Sequence, residues 1–383
     1  MNFPARQPRI SALRWFTASL TLFFVLGFIS APPAMADWPM FLKDRRHSSF
    51  AGKAPRPPLL LKWKFQTRGP IYSSPVVSRG KLYVGSYDKK LYALDSATGK
   101  MLWAFRAGGE ILSTPAVSGG KVYFGSKDGK LYALDANKGK LLWSFATEGE
   151  ILTSPVVADN KVFFGSKDLN LYALDAKKGK RLWRMKVLDY SRYTGIYSSP
   201  AYYNGSVFIA GKSGRIYSQD GKSGGRNWSI RTFSAIYSSP VIKDGILYIA
   251  LGERKFYGIN AKTGKIVLRK NLGGGLPYAS PAVTGDRIYL PLKDGHIKAL
   301  EKKRGRVVAD YKLPAPVNSS PVVTSNGFLY VGCEDGRLYA IDLILGEVSW
   351  SYLTGGGIHS SPAVSNNIVY IGSKDGSVYA FGH

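Results

Sequence analysis

The chain is poor in the residues that most site chemistries need. It has one cysteine, Cys333, so no intramolecular disulfide can form and the fold must be held by packing. Cys333 lies in an apolar run where other copies of the same segment carry Ser, so it reads as a small buried hydrophobe. Its four histidines, His47, His296, His359 and His383, are scattered, and none forms a spaced ligand pair with another His or with the Cys, so no metal site is expected. No Gly-x-Ser-x-Gly elbow and no calcium-loop pattern occurs. Acidic side chains are scarce, 25 against 53 Lys and Arg, for a formal charge of +28. Such a balance favours anionic partners or surfaces and says nothing about fold. No sustained helical periodicity appears after residue 40, and no recognition helix or nucleic-acid fingerprint, so specific nucleic-acid binding is not expected.

Long apolar runs are also lacking, with one exception. Trp15 to Ile29 follows an n-region bearing Arg6, Arg9 and Arg14, and Ala34-Met35-Ala36 places small residues ahead of Asp37. This reads as an export signal over residues 1–36, cleaved before Asp37. The run is shorter than the ~20 residues of a spanning helix. No cysteine stands at the cleavage site, so a lipid anchor of the bacterial lipoprotein type is not expected, and the location reads as periplasmic or extracellular.

What is abundant is glycine, 43 residues, and tyrosine, 24, which suit many tight turns and strands. They fall in a repeat. Leu91 to Trp103 reads as strand, tight turn and strand ending in tryptophan, and it recurs as Leu131 to Trp143 and Leu171 to Trp183. A Ser-Pro mark precedes each copy, at Pro75, Pro115, Pro155, Pro200, Pro240, Pro281, Pro321 and Pro362. The spacing is 40 or 41 residues except between Pro155 and Pro200, where Asp189 to Tyr193 reads as an inserted loop. Eight units of about 40–45 residues with four strands each are blades of a propeller. In the second copy the expected strands are Thr114–Val117 (A), Lys121–Gly125 (B), Leu131–Leu134 (C) and Leu141–Phe145 (D). The eighth copy ends at His383 without a D strand, while Leu61-Lys-Trp-Lys-Phe65 is a D strand with no copy before it. The expected fold is therefore all-β: an eight-bladed β-propeller of four-stranded antiparallel blades, closed by an N-terminal strand at about 61–66 that completes the last blade. Residues 37–60 are then a lead and linker, and 61–383 a single domain.

The motif Ala93 to Trp103 resembles the tryptophan-docking repeat of the PQQ-type β-propellers, and Trp38-Pro-Met-Phe41 resembles that family's N-terminal lead. The resemblance implies that Trp63, Trp103, Trp143, Trp183, Trp228 and Trp350 dock neighbouring blades. The blades around Val267 and Val308 lack the Trp and must dock by other side chains. The family includes quinone-dependent dehydrogenases and the outer-membrane assembly factor BamB, so its function is set by site and not by fold. The dehydrogenase role implies PQQ, a divalent cation and a catalytic carboxylate, often with a vicinal disulfide that one cysteine cannot make. The Asp residues here sit at repeat turns, so no catalytic residue and no cofactor are expected, with PQQ the alternative.

Two groups of residues differ between copies. The position three before each Pro should approach the central funnel, giving Tyr72, Tyr197, Tyr237, Tyr278, Asn318 and His359, with Leu112 and Leu152 in the remaining copies. These could line a site for a small ligand or peptide, or pack as core. The C–D turns carry Lys100, Lys140, Lys177, Lys178, Lys180, Lys265, Lys302, Lys303 and Arg304, so the face bearing C–D and A–B turns should be the more basic. The opposite face carries Lys89, Lys90, Lys127, Lys167, Lys212 and Lys293. The functional expectation is an exported, non-catalytic, monomeric scaffold for protein partners of the cell envelope, similar in kind to BamB. The alternatives are a PQQ-binding oxidoreductase and a protein that binds anionic envelope polymers or a lipid surface.

Overall fold

The computed structural model describes residues 37–187, 195–252, 254–273 and 278–383. The expected signal over 1–36 and the expected loop Asp189–Tyr193 lie outside them. All regular structure among the described residues is β-strand, and none of it is a helix able to cross a membrane.

Eight blades of four antiparallel strands follow one another, seven of them built from consecutive strands. The first is Val76–Ser78, Lys81–Gly85, Lys90–Asp95 and Met101–Arg106. The last is Ala363–Ser365, Ile368–Gly372 and Ser377–Gly382, and its fourth strand is Leu60–Gln66 from the N-terminal side, paired antiparallel as Leu61↔Phe381 through Gln66↔Ser377. The chain thus closes its own ring and covers the edge of Ser377–Gly382 with the strand that completes the last blade. Strands B and C are buried on both faces, while the outer strand D alternates between exposed and half-buried, as expected of a rim.

Each sequence mark has a structural cause. The second residue of every Ser-Ser-Pro turns its amide to the hydroxyl of the next blade's equivalent. Ser74 donates to Thr114, Thr114 to Ser154, Ser154 to Ser199, Ser199 to Ser239, Ser239 to Ser280, Ser280 to Ser320, Ser320 to Ser361, and Ser361 back to Ser74, at 2.9–3.2 Å. These eight bonds form a closed girdle around the axis. They also explain why strand A starts later than the sequence pattern indicates, at Ala116 instead of Thr114: the Thr114 amide is committed to its neighbour and cannot join its own ladder. The first Ser of the mark works within the blade, as where Ser113 donates to the Gly125 carbonyl and its hydroxyl accepts from the Gly125 amide, both at 2.8 Å.

The Asp that ends strand C folds the C–D turn. Asp135 accepts the amides of Asn137 and Lys138 at 2.9 and 2.8 Å, and Gly139 follows at φ +68°, a conformation open to glycine at little cost. The bare Cα of Gly139 also lets Trp103 of the preceding blade lie against the turn: a Cβ there would stand 2.6 Å from the indole ring. The same seating pairs Trp63 with Gly99, Trp143 with Gly179, Trp183 with Gly224 and Trp228 with Gly264. Four of these indoles donate to a carbonyl of the neighbouring blade, Ser96, Ala136, Gly221 or Ala261, at 2.9–3.3 Å. Trp350 faces the blade that has no C–D turn and packs on Phe381 instead. In the two blades without Trp the equivalent ladder positions hold Leu268, which lies over Gly305, and Ala309, which leaves Gly346 with open space above it.

The lead segment does more than pack against the disc. The innermost strand of each blade has a free edge facing the channel, and residues 38–49 pair with five of these edges. Val77, Val117, Tyr202, Ile242 and Val323 donate their amides to the carbonyls of Trp38, Pro39, Arg45, Arg46 and Ser49 at 2.6–3.1 Å. Phe50–Ala51 then runs parallel to Val322–Thr324 as a fifth strand of the seventh blade. Trp38, Leu42 and His47 are buried, Leu42 being 1% exposed. The strap fills the channel at the A–B turn end, so the funnel opens at the other end.

Candidate functional site

The open end of the funnel is built from two positions of the repeat. The inner one is the position three before each Pro. Its neighbour toward the N-terminus, Ile71, Ile111, Ile151, Ile196, Ile236, Val317 or Ile358, is fully buried between sheets, and alternation turns the next side chain to the axis. Tyr72, Tyr197, Tyr237, Asn318 and His359 are half-buried there, with Leu112 and Leu152, while Tyr278 is exposed. The structure brings the polar members together in two arcs. Tyr197, Tyr237 and Tyr278 form one, with ring centroids 6.0 and 4.7 Å apart. Tyr72 and His359 form the other, edge to face at 5.2 Å.

The outer position is the second residue after strand B in each blade: Tyr87, Lys127, Lys167, Lys212, Gly252, Lys293, Glu334 and Lys374. Four of these lysines appeared in the sequence only as charges of the opposite face. Tyr87 and Glu334 were not singled out at all, although all eight stand at one repeat position, which is the signal that would have found them. Their side chains lean over the tyrosines. Lys212 lies 5.6 and 5.4 Å from the rings of Tyr197 and Tyr237, Lys293 5.2 Å from Tyr278, Lys127 4.7 Å from Tyr87 and Lys374 5.7 Å from Tyr72. Each is within cation–π range. Lys167 pairs with Glu150 at 2.9 Å.

Glu334 is the one carboxylate of this outer ring. Its Oε1 accepts from Asn318 Nδ2 at 2.7 Å and meets His359 Nε2, and its Oε2 accepts from Lys374 at 2.7 Å. Burial raises its pKa, but these donors and charges outweigh burial and hold it below the usual range. Burial pushes His359 down, against the pull of Glu334.

The family resemblance raises PQQ with a divalent cation, and the residues present do not fit a cation of that kind. Glu334 is committed to three donors. Five B–C turn aspartates are committed too: Asp88, Asp128, Asp168, Asp335 and Asp375 each accept the hydroxyl of a strand-C tyrosine at 2.5–2.7 Å, while the exposed Asp294 accepts the His296 amide. Among the described residues no group of three or more His, Cys, Asp or Glu could hold a metal ion. Cys333 is buried and its thiol is pushed up to about 11 by burial, which makes it a poor nucleophile.

The predicted basic residues take the positions expected of them at the C–D turns on the far side. Lys100, Lys140, Lys177, Lys178, Lys180, Lys265, Lys303 and Arg304 are exposed. Lys302 is partly covered and pairs with Asp244 at 2.6 Å.

Fold and blade seams define a class, the eight-bladed propeller with tryptophan-docked blades. The sequence profile of a family described as outer membrane protein assembly factor BamB matches residues 60–267, 231–308 and 293–382, so the chain belongs to that family of PQQ-type propellers. A search of curated proteins finds no match. Among solved structures, BamB from Moraxella catarrhalis is similar at 20% identity, with a TM-score of 0.74 over 85% of this chain and 100% of that one. A europium-containing methanol dehydrogenase is similar at 16% identity, TM-score 0.78, over 91% and 98% of the two chains. The quinohemoprotein alcohol dehydrogenase from Comamonas testosteroni is similar at 17% identity, TM-score 0.79, over 91% and 80%. At these identities the likeness is one of fold.

Proposed function

We propose that this chain is a non-catalytic scaffold of the cell envelope that grips an acidic segment of a protein partner in the funnel mouth. The observation that carries the reading is the double ring. Five lysines lean over an aromatic lining, and the one carboxylate of their own ring, Glu334, is already satisfied. Lysines over tyrosine faces attract carboxylates while the rings supply apolar contact, which suits an acidic peptide. Girdle and blade docking repeat from copy to copy, whereas the mouth positions differ. Membership of the BamB family and the export-type N-terminus support an envelope location.

The test is photo-crosslinking in the native cell from a crosslinker at position 237, compared with one at Leu102 on the outer rim. A protein captured from 237 and not from 102, and lost on Lys127→Glu with Lys293→Glu, is the expected result. Equal capture from both sites, or capture indifferent to charge reversal, overturns the mouth as the contact. Saturable PQQ and calcium binding with dye-linked alcohol oxidation by the purified protein overturns the non-catalytic reading.

A further inference from the structure

The face opposite the mouth carries a feature that the partner contact does not use. Seven C–D turns present their two tip residues to solvent from the same scaffold, so the repeats serve as controls for one another. The pairs are Ala97 and Thr98, Asn137 and Lys138, Lys177 and Lys178, Lys222 and Ser223, Lys262 and Thr263, Lys303 and Arg304, and Ile344 and Leu345. Seven of these fourteen positions are basic and none is acidic. One turn departs from the polar pattern. Ile344 is 83% exposed and Leu345 70%, the most exposed aliphatic side chains among the described residues. The turn beneath them is built as the others are, with Asp342 accepting both tip amides at 2.8 and 3.0 Å, so the two side chains are held outward by a rigid base. It is also a turn whose glycine, Gly346, has open space above it, because Ala309 occupies the docking position of the preceding blade.

The surroundings of this apolar tip are cationic. Lys303 and Arg304 stand on the adjacent blade, and Lys53 and Arg56 are exposed where the lead leaves the seventh blade beside Asn326. Arg45 and Arg46 are exposed on the strap at the centre of the same face. Of the acidic groups there, Asp44, Asp159, Asp244 and Asp286 lie against Arg46, Arg45, Lys302 and Arg287, and Glu347 is exposed beside the tip. A large aliphatic pair held out of a cationic plane matches a surface that is anionic at its headgroups and apolar beneath them. An acidic polymer would use the cations and leave the aliphatic pair in water.

We infer that the A–B and C–D turn face docks on an anionic lipid surface, with Ile344 and Leu345 inserted at the headgroup boundary and the basic turn tips lying on the headgroups. The funnel mouth then points away from the membrane. This orientation does not depend on the partner reading, since the two faces can be tested separately.

The experiment is co-sedimentation of the mature chain with vesicles of phosphatidylglycerol and phosphatidylethanolamine, against vesicles of phosphatidylcholine. Binding to the anionic vesicles only, weakening with salt, is expected. Ile344→Ser with Leu345→Ser should weaken it about tenfold with the melting temperature unchanged, because both side chains are in solvent. Lys303→Glu with Arg304→Glu should weaken it further. A second readout replaces Ile344 by Cys in a Cys333→Ser background and attaches an environment-sensitive fluorophore, whose emission should shift to the blue on anionic vesicles. Equal sedimentation with both lipids, serine variants that bind as well as the parent, or an unshifted fluorophore on bound protein each overturns the inference.

Discussion

His47 was one of four scattered histidines in the sequence, and its role becomes visible only when the strap is in place. The ring is 2% exposed, and its Nδ1 lies 2.8 Å from the Pro240 carbonyl, which can only accept, so the neutral imidazole donates there. Burial holds its pKa down to about 4 from 6.5. Between those values the unfolded chain binds a proton that the folded chain refuses. The stability this site contributes is therefore complete above pH 6.5 and is lost as pH falls toward 4, by roughly 3 kcal/mol at 1.36 per unit. A His47→Gln variant keeps a neutral donor. Its melting temperature should fall less than the parent's between pH 7 and 4.5, and parallel curves for the two proteins would count against the assignment.

At the scale of the element, the seam between blades is a tryptophan seated on a glycine, and the glycine is needed for two separable reasons. Gly139 and Gly346 both lie at positive φ, +68° and +80°, but only Gly139 has an indole over it. Ala at 346 should cost roughly 1 kcal/mol for the left-handed backbone alone. Ala at 139 should cost roughly 3 kcal/mol, because its Cβ also displaces Trp103. Urea midpoints of the two variants measure the difference, and equal losses would mean that the tryptophan yields freely. The seam was legible in the sequence because Asp, Gly and Trp recur at fixed spacing. The gap at Ala309 was legible only as a missing Trp. That it leaves open space over Gly346 could not be read from the local pattern.

For the whole molecule, closure by a strand from the other end of the chain is the organising fact. Blade count and closing strand could be read from one periodicity, with the closing strand found at Leu60–Gln66 against an expected 61–66. The inner ring of the mouth was legible by the same count. The strap was not, because its bonds are made by backbone carbonyls that no side-chain pattern announces, and the outer ring was missed because lysines at turns read as solvated surface. A chain lacking residues 37–66 should expose the edge of Ser377–Gly382 and elute as larger oligomers than the parent, or aggregate, on size exclusion with light scattering. A truncated monomer of unchanged melting temperature would show that closure is dispensable. The girdle of eight serine and threonine bonds has one more consequence. All eight run in the same rotational sense, blade to next blade, so the components of their dipoles in the plane of the ring cancel around the axis. In-plane asymmetry of the potential at the mouth is left to the few side chains that differ from blade to blade.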